Sequence, residues 1–309
     1  MPLVARTAKQ DSVRELQRTL YRAAKADPGR RFHALYDKVY RRDVMEWAWE
    51  LVRANKGAAG IDRQTIADVE EYGIAKLLDE LAADLKDGSY RPWPARRVFI
   101  PKPGSSEQRP LSIPRVRDRV AQAALKTVVE PIFEADMLEC SYGFRPRRSQ
   151  HDALQVLVDE AWDGRRWVAE SDVSDCFGAI PHDGLMSAIE ERISDRHVLK
   201  LLRAMLRSGV MQDGAVAREV TGTPQGGVIS PCVCNVYLHV CPQGERGDVE
   251  GRSCDPCCAS DGGRPSGFAV QAGSPNRRDV MPVKSRGGKR SRKRLANSGS
   301  GVRREDEHG

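Results

Sequence analysis

Apolar positions recur every three or four residues through much of the first 240 positions. Val13, Leu16, Leu20 and Ala23 share one face of a helix over 12–25. The same spacing returns over 41–54 and over 116–133, where Val120, Ala124, Val128 and Ile132 line up. Leu154, Leu157, Val158 and Ala161 form a stripe within His151–Trp162. Val198, Leu201, Leu202, Met205 and Leu206 form another, ahead of the hairpin-turn pair Asp213-Gly214. Two short runs, Arg97–Ile100 and Arg166–Val173, read as strands. In the second, Trp167, Ala169 and Ser171 face one way and Val168, Glu170 and Asp172 the other. Helices alternating with short strands predict a mixed α/β or α+β fold.

The pattern stops abruptly after Val240. Residues 241–309 hold one leucine, one phenylalanine and no isoleucine, tyrosine or tryptophan, so they cannot bury enough apolar surface to offset ordering entropy. A disordered tail is expected, with a basic run at Lys289-Arg290-Ser291-Arg292-Lys293-Arg294. Two accounts fit it. One is a basic tail that binds nucleic acid. The other is out-of-frame translation of a frameshifted gene, which in GC-rich DNA gives Gly, Arg, Ser and Pro with stray cysteines. The abruptness of the change favours the second.

Composition narrows the picture further. No apolar run reaches membrane-spanning length, so no membrane association is expected, and MPLVARTAKQDSVREL lacks a secretory signal's apolar stretch. A net charge of +7 fits a polyanionic partner or merely a basic protein. Cys140, Cys176, Cys232 and Cys234 lie among apolar residues as small core residues do, which fits a reducing cytoplasm. His239, Cys241, Cys254, Cys257 and Cys258 match the spacing of no common zinc module.

The candidate chemistry begins with Arg97-Val-Phe-Ile-Pro-Lys102-Pro-Gly-Ser-Ser-Glu-Gln-Arg109-Pro-Leu-Ser-Ile-Pro114, a strand, a turn and a second strand. Lys102 and Arg109 flank the turn and can reach one polyphosphate, Lys as a point charge and Arg as a bidentate fork. Taken alone, an exposed basic hairpin is the plainer reading. Three further strings change that balance. They are Asp118-Arg119-Val-Ala-Gln122, Glu130-Pro-Ile-Phe-Glu134 and Ser141-Tyr-Gly-Phe-Arg145-Pro-Arg-Arg148-Ser-Gln-His151. With them, residues 10–240 resemble the reverse transcriptase domain of group II intron-encoded proteins (maturases). Asn55-Lys-Gly-Ala-Ala-Gly60-Ile-Asp62 is similar to the motif that family carries before its fingers, with Arg63 where a glycine is common.

The resemblance implies an α+β fold. It would comprise the fingers and partial palm of a right-hand polymerase, followed by the disordered tail. The expected division is a helical extension over 1–90, fingers and partial palm over 91–240, and the tail over 241–309. It implies RNA-directed DNA polymerase chemistry, in which two Mg²⁺ ions about 3.5–4 Å apart clamp the attacking and leaving oxygens. Within Glu170-Ser-Asp172-Val-Ser-Asp175-Cys-Phe177, Asp172 would be the catalytic metal ligand and the Val173 carbonyl would supply a second oxygen. Asp175 would orient the loop. Phe177 would be the steric gate that excludes a 2′-hydroxyl. In Thr221-Gly-Thr-Pro224-Gln225-Gly226-Gly227-Val-Ile-Ser230-Pro231, glycines let backbone approach a base pair, Gly226 among them, and Gln225 would sit near the incoming nucleotide. Asn235 follows on an expected helix over 228–239.

The implied partners are intron RNA, an RNA template with a DNA primer, and deoxynucleoside triphosphates; oligomeric state stays open. The family's next palm strand carries a Tyr/Phe-x-Asp-Asp hairpin, yet no Asp-Asp pair occurs after Val240. With that motif and the thumb missing, the chain alone is expected not to polymerise. The alternatives are a non-catalytic remnant that binds intron RNA and a pseudogene product.

Overall fold

The computed structural model describes residues 8–240 apart from 102, 103, 105, 107, 166, 169–172, 174 and 218–220. The expected tail over 241–309 lies outside the described residues. The chain opens with α1 (Ala8–Ala26), the single turn α2 (Tyr36–Val39), α3 (Arg42–Ala54), α4 (Ile66–Tyr72) and α5 (Ile74–Lys86). The hairpin β1 (Ala95–Pro101) and β2 (Gln108–Ile113) follows, then α6 (Val116–Glu134) and α7 (Gln150–Trp162). The last elements are α8 (His182–Glu190), α9 (Arg196–Leu206), β3 (Val210–Gln212), β4 (Ala215–Ala217) and α10 (Ser230–Val240). The fold is α+β, and no helix among the described residues is long and apolar enough to cross a membrane.

The periodic stripes fall on helices as expected, and α6 is their hub. Fifteen of its 19 residues are buried, including the polar Asp118, Arg119, Gln122 and Thr127. Helices α1 and α3 pack along it. Pro131 lies inside α6 and has no N–H to give the carbonyl of Thr127, one turn back. Gln17 of α1 fills the gap, donating from Nε2 to that carbonyl at 3.3 Å. A would-be helix defect thereby becomes an interhelical bond.

One hydrophobic core runs from Val13 to Tyr237. The sheet has the order β2-β1-β3-β4, with β1 antiparallel to β2, parallel to β3, and β3 antiparallel to β4. Asp213 and Gly214, both at positive φ (50° and 82°), turn β3 into β4. Asp195 caps α9 and also gathers the segment before α2. It accepts from the amides of Leu35 (2.8 Å), Tyr36 (2.9 Å), His197 (2.9 Å) and Val198 (3.3 Å). Burial alone would raise its carboxyl, but these four amides outweigh burial and hold it below the ordinary value.

Two expectations need amendment. The stripe on α7 is real in sequence but not covered: no residue of that helix is buried, and Leu154 and Leu157 are 56% and 54% exposed. An apolar stripe becomes core only where a second surface meets it, and none among the described residues does. Cys232 and Cys234 are buried as small core residues, whereas Cys140 is exposed. The strand expected over Arg166–Val173 falls mostly on residues outside the description; Trp167 and Val168 are exposed.

Candidate functional site

Three segments far apart in sequence are stitched edge to edge. The first is the turn after Val173. Asp175 adopts φ 45° and its carbonyl accepts from Gly178 and Ala179, both at 2.9 Å. A Cβ at Gly178 would stand 2.1 Å from the Asp175 carboxylate, which would have to swing aside. The turn holds Phe177 half-buried against the core.

The second segment is the loop over 221–228. Gly222 N donates to the Ile180 carbonyl and Thr223 N to the Phe177 carbonyl, each at 2.7 Å. His182, buried at the start of α8, bonds through Nε2 to the Gly222 carbonyl at 2.7 Å. Within the loop, Gly227 N and Ser230 Oγ both donate to the Pro224 carbonyl (3.0 and 2.9 Å). Val228 N donates to Oε1 of Gln122 at 2.8 Å, which explains a buried glutamine inside α6.

The third segment is β2. Ser112 N donates to the Gln225 carbonyl at 2.6 Å, while Arg97 of β1 donates to the Ser112 hydroxyl at 3.1 Å. Gly226 follows at φ 108°, where a Cβ would sit 2.7 Å from the Ser112 carbonyl. Phe177, Gln225 and Gly226 are thus brought together, tied through Thr223 on one side and Ser112 on the other. Arg109 lies three residues up β2 from that junction, exposed and paired in register with Ile100 near the hairpin tip. Val173 is 37% exposed. Lys102 and Asp172 lie outside the described residues. Among the described residues no group of three or more His, Cys, Asp or Glu side chains could hold a metal ion.

The quoted motifs outside this row act as braces. Asp118, buried in α6, accepts from the Tyr90 hydroxyl (2.7 Å), Trp93 N (3.2 Å) and Arg115 (2.9 and 3.1 Å). The Arg115 guanidinium also lies 4.1 Å over the Trp93 ring. The 55–62 motif wraps the start of α6: Arg96 donates twice to the Ala59 carbonyl (3.1 and 2.7 Å) and Arg119 to that of Ala58. A Cβ at Gly60 would come within 2.6 Å of the Arg115 Cα. Arg63, the departure from the expected glycine, sits at φ 59°, the backbone region that glycine enters most cheaply.

Arg145 is a buried clamp. It donates to the Glu134 carboxylate through Nε (3.0 Å) and Nη2 (2.7 Å), and through Nη1 to the carbonyls of Leu138 and Ser141. Asn235 of α10 donates to the Gly143 carbonyl at 2.8 Å. Between these anchors the Phe144 ring forms a T-shaped pair with that of Phe177, centroids 6.4 Å apart and planes at 77°. Cys176 and Cys234 meet beneath at 3.5 Å, and burial, with Cys176 adding to it, pushes the Cys234 thiol up to about 12. Sequence reasoning did not single out Ser112 or Phe144. A serine within a strand carries no marker, and Phe144 had only its place inside a quoted motif.

Residues 100–252 match the family described as Reverse transcriptase (RNA-dependent DNA polymerase). The chain is 37% identical over 210 residues to the Group II intron-encoded protein LtrA of Lactococcus lactis subsp. cremoris, covering 67% of this chain and 34% of that one. It is 37% identical over 233 residues to Protein YkfC of Escherichia coli (strain K12), covering 74% of this chain and 61% of the relative. It is 33% identical over 205 residues to the Uncharacterized 91 kDa protein in cob intron of Schizosaccharomyces pombe, covering 66% and 25%. The chain therefore spans about a third of the Lactococcus relative and about three fifths of the Escherichia relative.

Proposed function

This chain belongs to the reverse transcriptase family, of the group II intron-encoded kind over its N-terminal two thirds, and from that premise we propose that it forms the fingers and part of the palm of an RNA-directed DNA polymerase serving intron mobility and splicing. The helical part before residue 90 would extend the fingers. The observation that supports the reading best is the hydrogen-bonded row from Phe177 through Thr223 and Gln225 to Ser112. It joins an aromatic ring, an open glycine-bearing loop and a basic hairpin, the three surfaces a nucleotide needs for its sugar, base and phosphates.

In this reading Arg109, with Lys102, holds the polyphosphate. Phe177 abuts the sugar and rejects a 2′-hydroxyl. Gln225 and Gly226 face the nascent base pair. Asp172 and the Val173 carbonyl are hard oxygen donors of the kind Mg²⁺ takes. When bound, Mg²⁺ would neutralise phosphate charge during nucleotidyl transfer. The partners are an RNA template with its DNA primer, deoxynucleoside triphosphates and intron RNA.

Residues 241–309 contain no Asp-Asp pair, and a single carboxylate holds two divalent ions poorly. We therefore expect the chain by itself to bind nucleic acid without extending a primer. Primer extension with Mg²⁺ tests the second half of that statement: robust synthesis would contradict it. Filter binding of intron RNA across a salt series tests the first half. A steep fall in affinity with salt is expected from phosphate contacts, and no binding at low salt would sink the reading.

A further inference from the structure

The motif Ser141–Arg148 has a role left over. Arg145 and Gly143 of the motif are spent on anchoring, to Glu134 and to Asn235. Phe144 lies between the two anchored residues, at φ 55° and 68% exposed. Both features are unfavourable: the left-handed region crowds any residue with a β-carbon, and an exposed phenyl ring forfeits burial. A conformation that is costly locally persists when its surroundings over-determine it, and such positions gather at ligand sites. Here the surroundings are the Arg145 clamp on one side and the Asn235 bond on the other.

What the loop offers beside that ring is cationic. Arg147 is exposed and also at positive φ (60°), and the Arg148 guanidinium lies 5.2 Å over the Tyr142 ring. An exposed aromatic ring on an arginine-bearing loop is the kind of surface that single-stranded nucleic acid uses, base on ring and phosphate on cation. The Phe144 ring stands 6.4 Å from that of Phe177 with the planes at 77°, and most of the residue is exposed, so it borders the space beside the candidate nucleotide.

We propose that Phe144 is a nucleobase-stacking residue, holding an unpaired base of the template or primer strand next to the nucleotide at Phe177, with Arg147 on the adjoining phosphate. This rests on the polymerase reading above. The base face is common to RNA and DNA, so the ligand is a single strand of either kind.

The test is fluorescence anisotropy with the full chain and three short labelled oligomers of equal charge: an RNA, the matching DNA, and an abasic strand. Phe144→Ala is expected to weaken binding of the base-bearing strands by about 5- to 150-fold, the worth of one stacked base, and to leave the abasic strand unchanged. A loss confined to the RNA arm identifies the template as source, and one confined to DNA the primer. Phe144→Tyr should restore affinity, whereas Phe144→Leu should not. Full rescue by leucine would overturn stacking in favour of apolar cover for another protein surface. An equal loss on the abasic strand would overturn it in favour of a purely structural role, and unchanged base-bearing affinity would overturn it outright. If the unmodified chain binds none of the three strands, the polymerase reading falls together with this one. A base-independent loss sinks this inference alone.

Discussion

Helices α6 and α7 carry equally plain apolar stripes in the sequence, and the molecule treats them in opposite ways. Val120, Ala124, Val128 and Ile132 on α6 are fully buried. On α7 the corresponding stripe, Leu154, Leu157 and Val158, is about half exposed. Both are regular helices, and α7 even has the better N-terminus. Its Ser149 and Asp152 form a reciprocal capping box, whereas Arg115 before α6 makes no side-chain cap. The difference is therefore not local. Helix α6 has α1 and α3 laid along it, and its polar residues Asp118, Arg119 and Gln122 reach out to hold neighbouring loops. Periodicity decides that a helix forms; a partner surface decides whether its stripe is core.

The largest expected effect is at the connection between the two helices. Arg145→Ala would remove a buried guanidinium from the half-buried Glu134 carboxylate and from two carbonyls, and should cost about 3 kcal/mol in chemical denaturation. A cost near zero would mean that the loop leading to α7 is not held by α6. Next comes the direct contrast. Leu125→Ala on α6 should cost about 2–5 kcal/mol, because a fully buried side chain leaves a cavity. Leu157→Ala on α7 should change stability by no more than about 0.5 kcal/mol. Equal costs would erase the distinction.

A smaller effect separates the helix caps by pH. Asp195, almost wholly buried, has a carboxyl held below the ordinary value of 3.8, so its contribution is present above that value and is lost as pH falls through the lower folded value. Asp195→Asn should therefore flatten that part of the acid unfolding curve. Its one remaining oxygen can still cap His197 and Val198, but the amides of Leu35 and Tyr36 lose their acceptor, at a cost on the order of 2 kcal/mol at neutral pH. The Asp152 carboxyl is also lowered, by the Ser149 side chain and backbone amide, but it is exposed. Asp152→Asn should alter the acid limb less. An unchanged limb in the Asp195 variant would show that its four amide bonds do not survive in solution.

Much of this architecture was legible beforehand. The helices over 12–25, 41–54, 116–133 and 198–206, the β1–β2 hairpin and the Asp213-Gly214 turn all followed from period and turn chemistry. The resemblance that led to the family rested instead on motif strings such as Ser141–Arg148. What could not be read was which polar residues serve the fold. Asp118, Arg119, Gln122 and Arg145 look in sequence like any charged or amide residues in a motif, and only packing shows that each is buried and satisfies a distant backbone. Ser112 escaped notice because its part is played by its backbone amide, which has no sequence signature. The exposure of Phe144 was equally hidden, since phenylalanine is ordinarily core.

The central claim is that the row from Phe177 to Ser112 forms the floor of a deoxynucleotide site. Equilibrium binding of dATP and ATP, each with Mg²⁺ and a primer–template, tests it most directly in the full chain and in Phe177→Ala. A gate at Phe177 predicts that the chain prefers dATP and that the variant admits ATP while still binding dATP. Equal affinity for the two nucleotides in the unmodified chain, or a preference that survives the loss of the ring, would contradict it.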